Sequence, residues 1–216
     1  MSIKGVLFDL DGVIVTTDNY HYEAWKQLAD EENIYFDRTI NERLRGVSRM
    51  ESLNILLEKS SKSYSEEEKK EMAERKNSYY KELIKKLTPS DILPGVNHIL
   101  DGLKSQGIKI AIGSSSKNSP GILKYIGLDT KFDATVDGNN IKHSKPDPEV
   151  FLKAAEALNL DPSQCLVVED AEAGVEAGLA GNMKVLAVGF ASKCCPNATI
   201  CREDLTKISV EEIINL

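Results

Sequence analysis

Residues 6–15 read VLFDLDGVIV, and the fold turns on whether Asp9 and Asp11 close a buried strand or merely mark a turn. The run before Asp9 is apolar and β-rich, as expected of a parallel strand covered on both faces. Alternate residues of an extended chain share a face, so the two carboxylates can approach one centre. Gly12 then frees the backbone for a sharp turn. Taken alone, such a pair is more often structural than chemical. What lies downstream decides.

From residue 94 onward, strand-like runs at 108–112, 132–136, 165–168 and 184–188 alternate with helical stretches at 96–105, 120–126, 149–158 and 172–181. Short apolar strands separated by helices imply βαβ units, hence a Rossmann-like, doubly wound parallel α/β sheet. Asp147 is expected to cap a helix with Pro148 in its first turn. Residues 18–87 break this rhythm: they carry no strand pattern and their apolar residues recur at helical spacing. Ser48 and Glu51 have the spacing of a capping box, and Met72, Tyr79, Leu83 and Leu87 form an apolar stripe. An all-helical cap of residues 16–87 is therefore expected within a core of residues 1–15 and 88–216. Thr16 and Thr17 form one hinge and residues 88–94 the other.

Composition excludes several classes. The 216 residues suffice for one core and a satellite domain, and 41% apolar with 28% charged content is that of a globular protein. A net charge of −7 argues against a nucleic-acid partner, which needs a basic stripe. No run approaches the ~18 apolar residues of a membrane span, and the signal-peptide pattern is absent, so a cytoplasmic location is expected. A monomer is the expected state. The four cysteines, Cys165, Cys194, Cys195 and Cys201, lack a C-x-x-C knuckle and read as free thiols.

In a parallel sheet, ligands bind at the carboxyl ends of the strands. Here those ends carry Asp9-Leu10-Asp11-Gly12, Ser114-Ser115-Ser116-Lys117-Asn118, Ser144-Lys145-Pro146 and Glu169-Asp170. Four carboxylates beside a lysine and a hydroxyl loop need a cation, and hard oxygen ligands suit Mg²⁺ together with substrate phosphate. A carboxylate beside that cation can attack phosphorus and form an aspartyl phosphate. In the cap, His21, Trp25 and Leu28 share a helical face. Lys76 lies on the inward stripe, where a lone ammonium is costly unless it meets an anion or a cleft. Arg49 stands in the first turn of a helix, where a cation opposes the macrodipole and so points to a ligand.

The ordered set DLDGV, SSSKN, SKPDP and VVEDA resembles the haloacid dehalogenase superfamily over essentially the whole chain. The resemblance implies Asp9 as nucleophile, Asp11 as general acid and base, and Ser114 and Lys145, with Ser115 beside them, as the grip on the transferring phosphoryl group. It implies a Mg²⁺ site of Asp9, the Asp11 carbonyl, Glu169 and Asp170. LRGVSRMESL, AERKN and SSSKN further resemble the β-phosphoglucomutase family within it. That implies a second phosphate held by Arg49, Ser116, Lys117 and Asn118. It also implies contacts to a small sugar-phosphate substrate from Gly46, Val47, Ser48, Arg49 and Lys76, with His21 organising Asp11 and Trp25 beside it. The reaction implied interconverts β-D-glucose 1-phosphate and glucose 6-phosphate through β-D-glucose 1,6-bisphosphate. Thr16 departs from the family's acidic residue before the hinge threonine, and Arg45 replaces a common lysine. A sugar-phosphate phosphatase of the same fold stays open as the alternative. A non-catalytic sensor is disfavoured, since it needs no nucleophile.

Overall fold

The computed structural model describes residues 2–44 and 47–216. Its first strand, β1 (Gly5–Phe8), is central in a six-stranded sheet. On one side lie β2 (Lys109–Gly113) and β3 (Ala134–Val136); on the other lie β4 (Cys165–Glu169), β5 (Lys184–Ala187) and β6 (Ile200–Cys201). The order is β3-β2-β1-β4-β5-β6 and every pairing is parallel. This is the α/β, doubly wound architecture expected.

Alternation along the strands builds two cores. Val6, Phe8, Ile110, Ile112, Leu166 and Val168 face one layer. Leu7, Ala111, Val167 and Val185 face the other. The first layer receives α5 (Val96–Ser105) and α6 (Ser119–Tyr125); the second receives α7 (Glu149–Ala157) and α8 (Glu172–Ala180). Burial on both faces explains why these strands read as continuous apolar runs. The helix after Asp147 starts at Glu149, with Pro148 as its cap residue. The Asp147 carboxylate still accepts from the Glu149 N–H at 2.9 Å, so the capping role stands while the boundary moves.

Between β1 and α5 the chain forms α1 (Asp18–Glu31), α2 (Arg38–Glu42), α3 (Arg49–Leu57) and α4 (Glu66–Ile84). These share a separate apolar cluster built on Trp25, Leu28, Leu53, Leu56 and Met72. Ser48 caps α3 through the Glu51 N–H, and a reciprocal capping box of Ser65 and Glu68 starts α4. The expected stripe of α4 needs correcting. Its buried face is Met72, Ala73, Lys76, Asn77, Tyr80 and Ile84, while Tyr79 and Leu83 are only half-buried. Tyr79 turns its hydroxyl outward to the Glu31 carboxylate. The two chain crossings run side by side: Val15 pairs with Ile92, and the Leu93 N–H donates to the Ile14 carbonyl at 2.9 Å. Among the described residues no helix is long and apolar enough to cross a membrane.

Candidate active site

The carboxyl ends of the strands face the helical block across a cavity of about 1170 Å³. At its floor, continuation of the sheet ladder fixes the residues at the strand ends. The Asp9 N–H donates to the Val168 carbonyl at 3.0 Å, the Ser114 N–H to Val136 at 3.0 Å, and the Val188 N–H to Glu169 at 2.8 Å. Carboxylate oxygens of Asp9, Glu169 and Asp170 come within 4.8 Å of one another. Two glycines make room for them. A Cβ on Gly12, at φ +86°, would lie 2.1 Å from an Asp170 oxygen, and one on Gly174 would lie 1.9 Å from the Glu169 carboxyl carbon. A close-set group of hard oxygen donors in such cradles fits Mg²⁺. The Asp11 side chain stands apart from this group.

Lys145, after β3, reaches into the cluster and donates to Asp9 at 2.6 Å and to Glu169. Burial works against its charge, but the flanking Asp9 and Glu169 carboxylates outweigh that and hold its pKa above the usual lysine value. Ser114 is buried beside it and accepts from the Ser116 N–H at 3.2 Å. The Ser115 hydroxyl oxygen is buried and, among the described residues, has no hydrogen-bond partner. A buried hydroxyl left unmatched costs about 1–3 kcal/mol, so it is a donor in want of an acceptor.

Asp11 is held from the cap side. Its Oδ1 accepts from the Thr17 N–H and its Oδ2 from the Thr17 hydroxyl, each at 2.6 Å. Thr17 is itself fixed by the buried Tyr80 hydroxyl, which donates to it at 2.9 Å. Burial pushes Asp11 up to about 7, helped by the nearby Asp18 and Asp9 charges and opposed by the Thr17 hydrogen bonds. A value near neutrality suits a group that gives and takes a proton. Of the two expected hinge threonines, Thr17 is buried against Asp11 and Thr16 faces solvent.

His21 and Lys76 form the roof. Lys76 is 3% exposed, which rules out a stem reaching water. Its ammonium is 2.9 Å from His21 Nδ1 and 4.7 Å from the ring centres of both Trp25 and Tyr80. Burial and the Arg49 charge press its pKa down, and burial with Lys76 and Arg49 lowers that of His21. A neutral His21 can therefore accept from Lys76 at Nδ1 and aim Nε2 at Asp11 Oδ2, 3.8 Å away. Arg49 pairs with Glu74 at 2.6 Å. Val47, Ser48, Ser116, Lys117 and Asn118 are also among the residues that line the cavity. Gly46, and Arg45 before it, lie outside the described residues. One contact escaped the sequence reading: Asn118 Nδ2 donates to Asn77 Oδ1 at 3.0 Å, tying the core loop to α4. Its signal was a second polar residue, beside Lys76, on the buried face of that helix.

The chain is 46% identical to the β-phosphoglucomutase of Bacillus subtilis over 87% of its own length and 84% of that protein. It is 34% identical to a phosphorylated carbohydrates phosphatase of Thermotoga maritima, over 81% and 80% of the two chains. The crystal structure of β-phosphoglucomutase from Clostridium difficile superposes with a TM-score of 0.92 at 43% identity, covering 98% of this chain and 95% of that one. A model of the haloacid dehalogenase-like hydrolases matches residues 3–182, and the chain belongs to that family.

Proposed function

We propose that the chain is a Mg²⁺-dependent β-phosphoglucomutase, interconverting β-D-glucose 1-phosphate and D-glucose 6-phosphate through β-D-glucose 1,6-bisphosphate. The observation that supports this reading is a single cavity lined by two polar sets: Ser114, Ser115 and Lys145 with Asp9, and Arg49, Lys76, Lys117 and Asn118. In this reading each set holds one phosphate. A phosphatase needs only the first set. A mutase must hold a bisphosphate in either direction, so that each phosphate in turn faces the nucleophile.

Asp9, Glu169, Asp170 and the Asp11 carbonyl would hold the Mg²⁺ ion, which supplies charge neutralisation at the transferring phosphoryl group. Asp9 attacks phosphorus through a carboxylate oxygen and becomes the aspartyl phosphate. Lys145 and the Ser114 and Ser115 hydroxyls take the phosphoryl oxygens. Asp11 donates a proton to the leaving sugar oxygen and later removes one from the attacking hydroxyl. Thr17 keeps it aimed, and His21 with Lys76 sets the charge above it. The helical cap of residues 16–87 closes on the core of residues 1–15 and 88–216 and excludes water from the aspartyl phosphate.

The test is incubation with Mg²⁺, β-D-glucose 1-phosphate and trace 1,6-bisphosphate, following glucose 6-phosphate and free phosphate together. Isomerisation with little phosphate release is expected. Phosphate without isomerisation would establish instead the activity named for the Thermotoga relative. Asp9→Asn should reduce both products to background, and substantial residual turnover would mean another nucleophile.

A further inference from the structure

A pair of thiols lies outside this machinery. Cys194 ends the short helix α9 (Ala191–Cys194) and Cys195 follows it, with their sulfurs 3.5 Å apart. Cys201 Sγ, in β6, sits 3.7 Å from the Cys195 carbonyl oxygen. Cys194 is exposed, Cys195 buried and Cys201 half-buried. Among the described residues, these sulfurs do not close into a group around one ion as the site carboxylates do, which argues against a thiolate metal centre. Burial and the hydrogen bond to Cys194 push the Cys195 thiol up to about 12, so the exposed Cys194 is the first to meet an oxidant.

The pair is joined through backbone hydrogen bonds to the main chain of Asp170. The Cys195 N–H donates to the Ala191 carbonyl at 3.0 Å, and the Ala191 N–H donates to the Asp170 carbonyl at 2.9 Å. Adjacent cysteines join only if the backbone between them moves. A backbone hydrogen-bond path thus runs from Cys195 through Ala191 to the Asp170 carbonyl.

We propose that Cys194 and Cys195 form an oxidisable dithiol, a modification site for peroxides whose closure loosens the Asp170 end of the cation site. The second half rests on the metal assignment made above. In the first step the Cys194 sulfur attacks one oxygen of hydrogen peroxide, the O–O bond breaks, water leaves, and Cys194 becomes a sulfenic acid. The Cys195 sulfur then attacks the Cys194 sulfur. The S–O bond breaks, and the hydroxyl departs with the Cys195 proton as a second water. Two thiols are oxidised to one disulfide, and one peroxide is reduced to two waters.

The experiment treats the intact protein with hydrogen peroxide, alkylates it and digests it with trypsin. Cleavage after Lys193 and Arg202 leaves Cys194, Cys195 and Cys201 in one peptide, residues 194–202. That peptide should lose two hydrogens, fragment as a Cys194–Cys195 link, and recover with dithiothreitol. The Mg²⁺ dissociation constant, read by calorimetry, should rise about tenfold on oxidation, the scale set by disturbing the support of a metal ligand. Cys194→Ser should prevent both changes. A Cys195–Cys201 link, a sulfinic acid on an unpaired Cys194, or no reaction overturns the dithiol. A Cys194–Cys195 link with unchanged Mg²⁺ affinity overturns the coupling to Asp170. A reduced protein that binds no Mg²⁺ overturns the metal assignment and leaves the peptide result to stand by itself.

Discussion

Thr17 carries a burden out of proportion to its size. Both its N–H and its hydroxyl point at Asp11, and its oxygen also satisfies the buried Tyr80 hydroxyl. Thr17→Val keeps the shape, removes the hydroxyl bond to Asp11, worth about 1.5–3 kcal/mol, and leaves the buried Tyr80 hydroxyl without its acceptor, which lowers Tm as well. If that bond serves proton transfer, kcat should fall about ten- to a hundredfold with KM nearly unchanged. Steady-state kinetics decide, and an unaltered kcat would remove Thr17 from the mechanism. Lys76 poses the opposite case. Its ammonium is buried between His21, Trp25 and Tyr80. Burial and the Arg49 charge both oppose its protonation, so it adds little to stability where it stands. Lys76→Met should therefore raise Tm while raising KM for the sugar phosphate. A lower Tm with unchanged KM would make Lys76 a structural residue.

At the scale of elements, α7 shows how one side chain anchors a loop of the site. Glu149, its first residue, accepts from the Lys142 and His143 N–H groups at 2.9 and 2.8 Å and pairs with Lys153 at 2.7 Å. The Lys153 hydrogen bond and then the His143 N–H bring its pKa from 4.5 down to about 2. A depressed carboxylate adds stability that is fully present above 4.5 and fades as pH falls through about 2. The Tm advantage over Glu149→Gln should be constant at neutral pH and shrink within that window. A gap that persists at the lowest pH would exclude ionisation as its source. The strands that carry the site were legible because burial on both faces leaves an unmistakable apolar run. By contrast β6, of two residues, and the four-residue α9 are too short to show any period. On the α4 stripe Met72 and Leu87 are buried as expected, while Tyr79 and Leu83 give way to Tyr80 and Ile84, since neighbouring tyrosines on a helix can suit either face. Lys76 was legible for a different reason: an ammonium on an inward stripe is too costly to sit there without an anion or a cleft.

The whole molecule is a sheet and a helical block joined by two adjacent crossings and meeting across one cavity. The cap has an apolar cluster of its own, while Ala24, Tyr80, Ile84 and Leu87 join it to the first core of the sheet. Sequence could place the acids at the strand ends, because order along the chain maps onto the sheet. It could not show which cap residue touches which core loop, because that depends on the angle between two bodies. The Asn77–Asn118 hydrogen bond is such a contact. In the mechanism proposed above it would help decide between sugar and water as phosphoryl acceptor. A neutral hydrogen bond contributes about 1 kcal/mol, so Asn77→Ala should shift the closed fraction about fivefold toward open. With the cap less often closed, water reaches the aspartyl phosphate on Asp9 more often. Free phosphate released per glucose 6-phosphate formed should rise by a similar factor, with Tm changed by only a few degrees. If the product ratio stays the same in a stably folded Asn77→Ala protein, this contact does not guard the phosphoenzyme, and closure must be held by the substrate's own phosphate on Arg49 and Lys117.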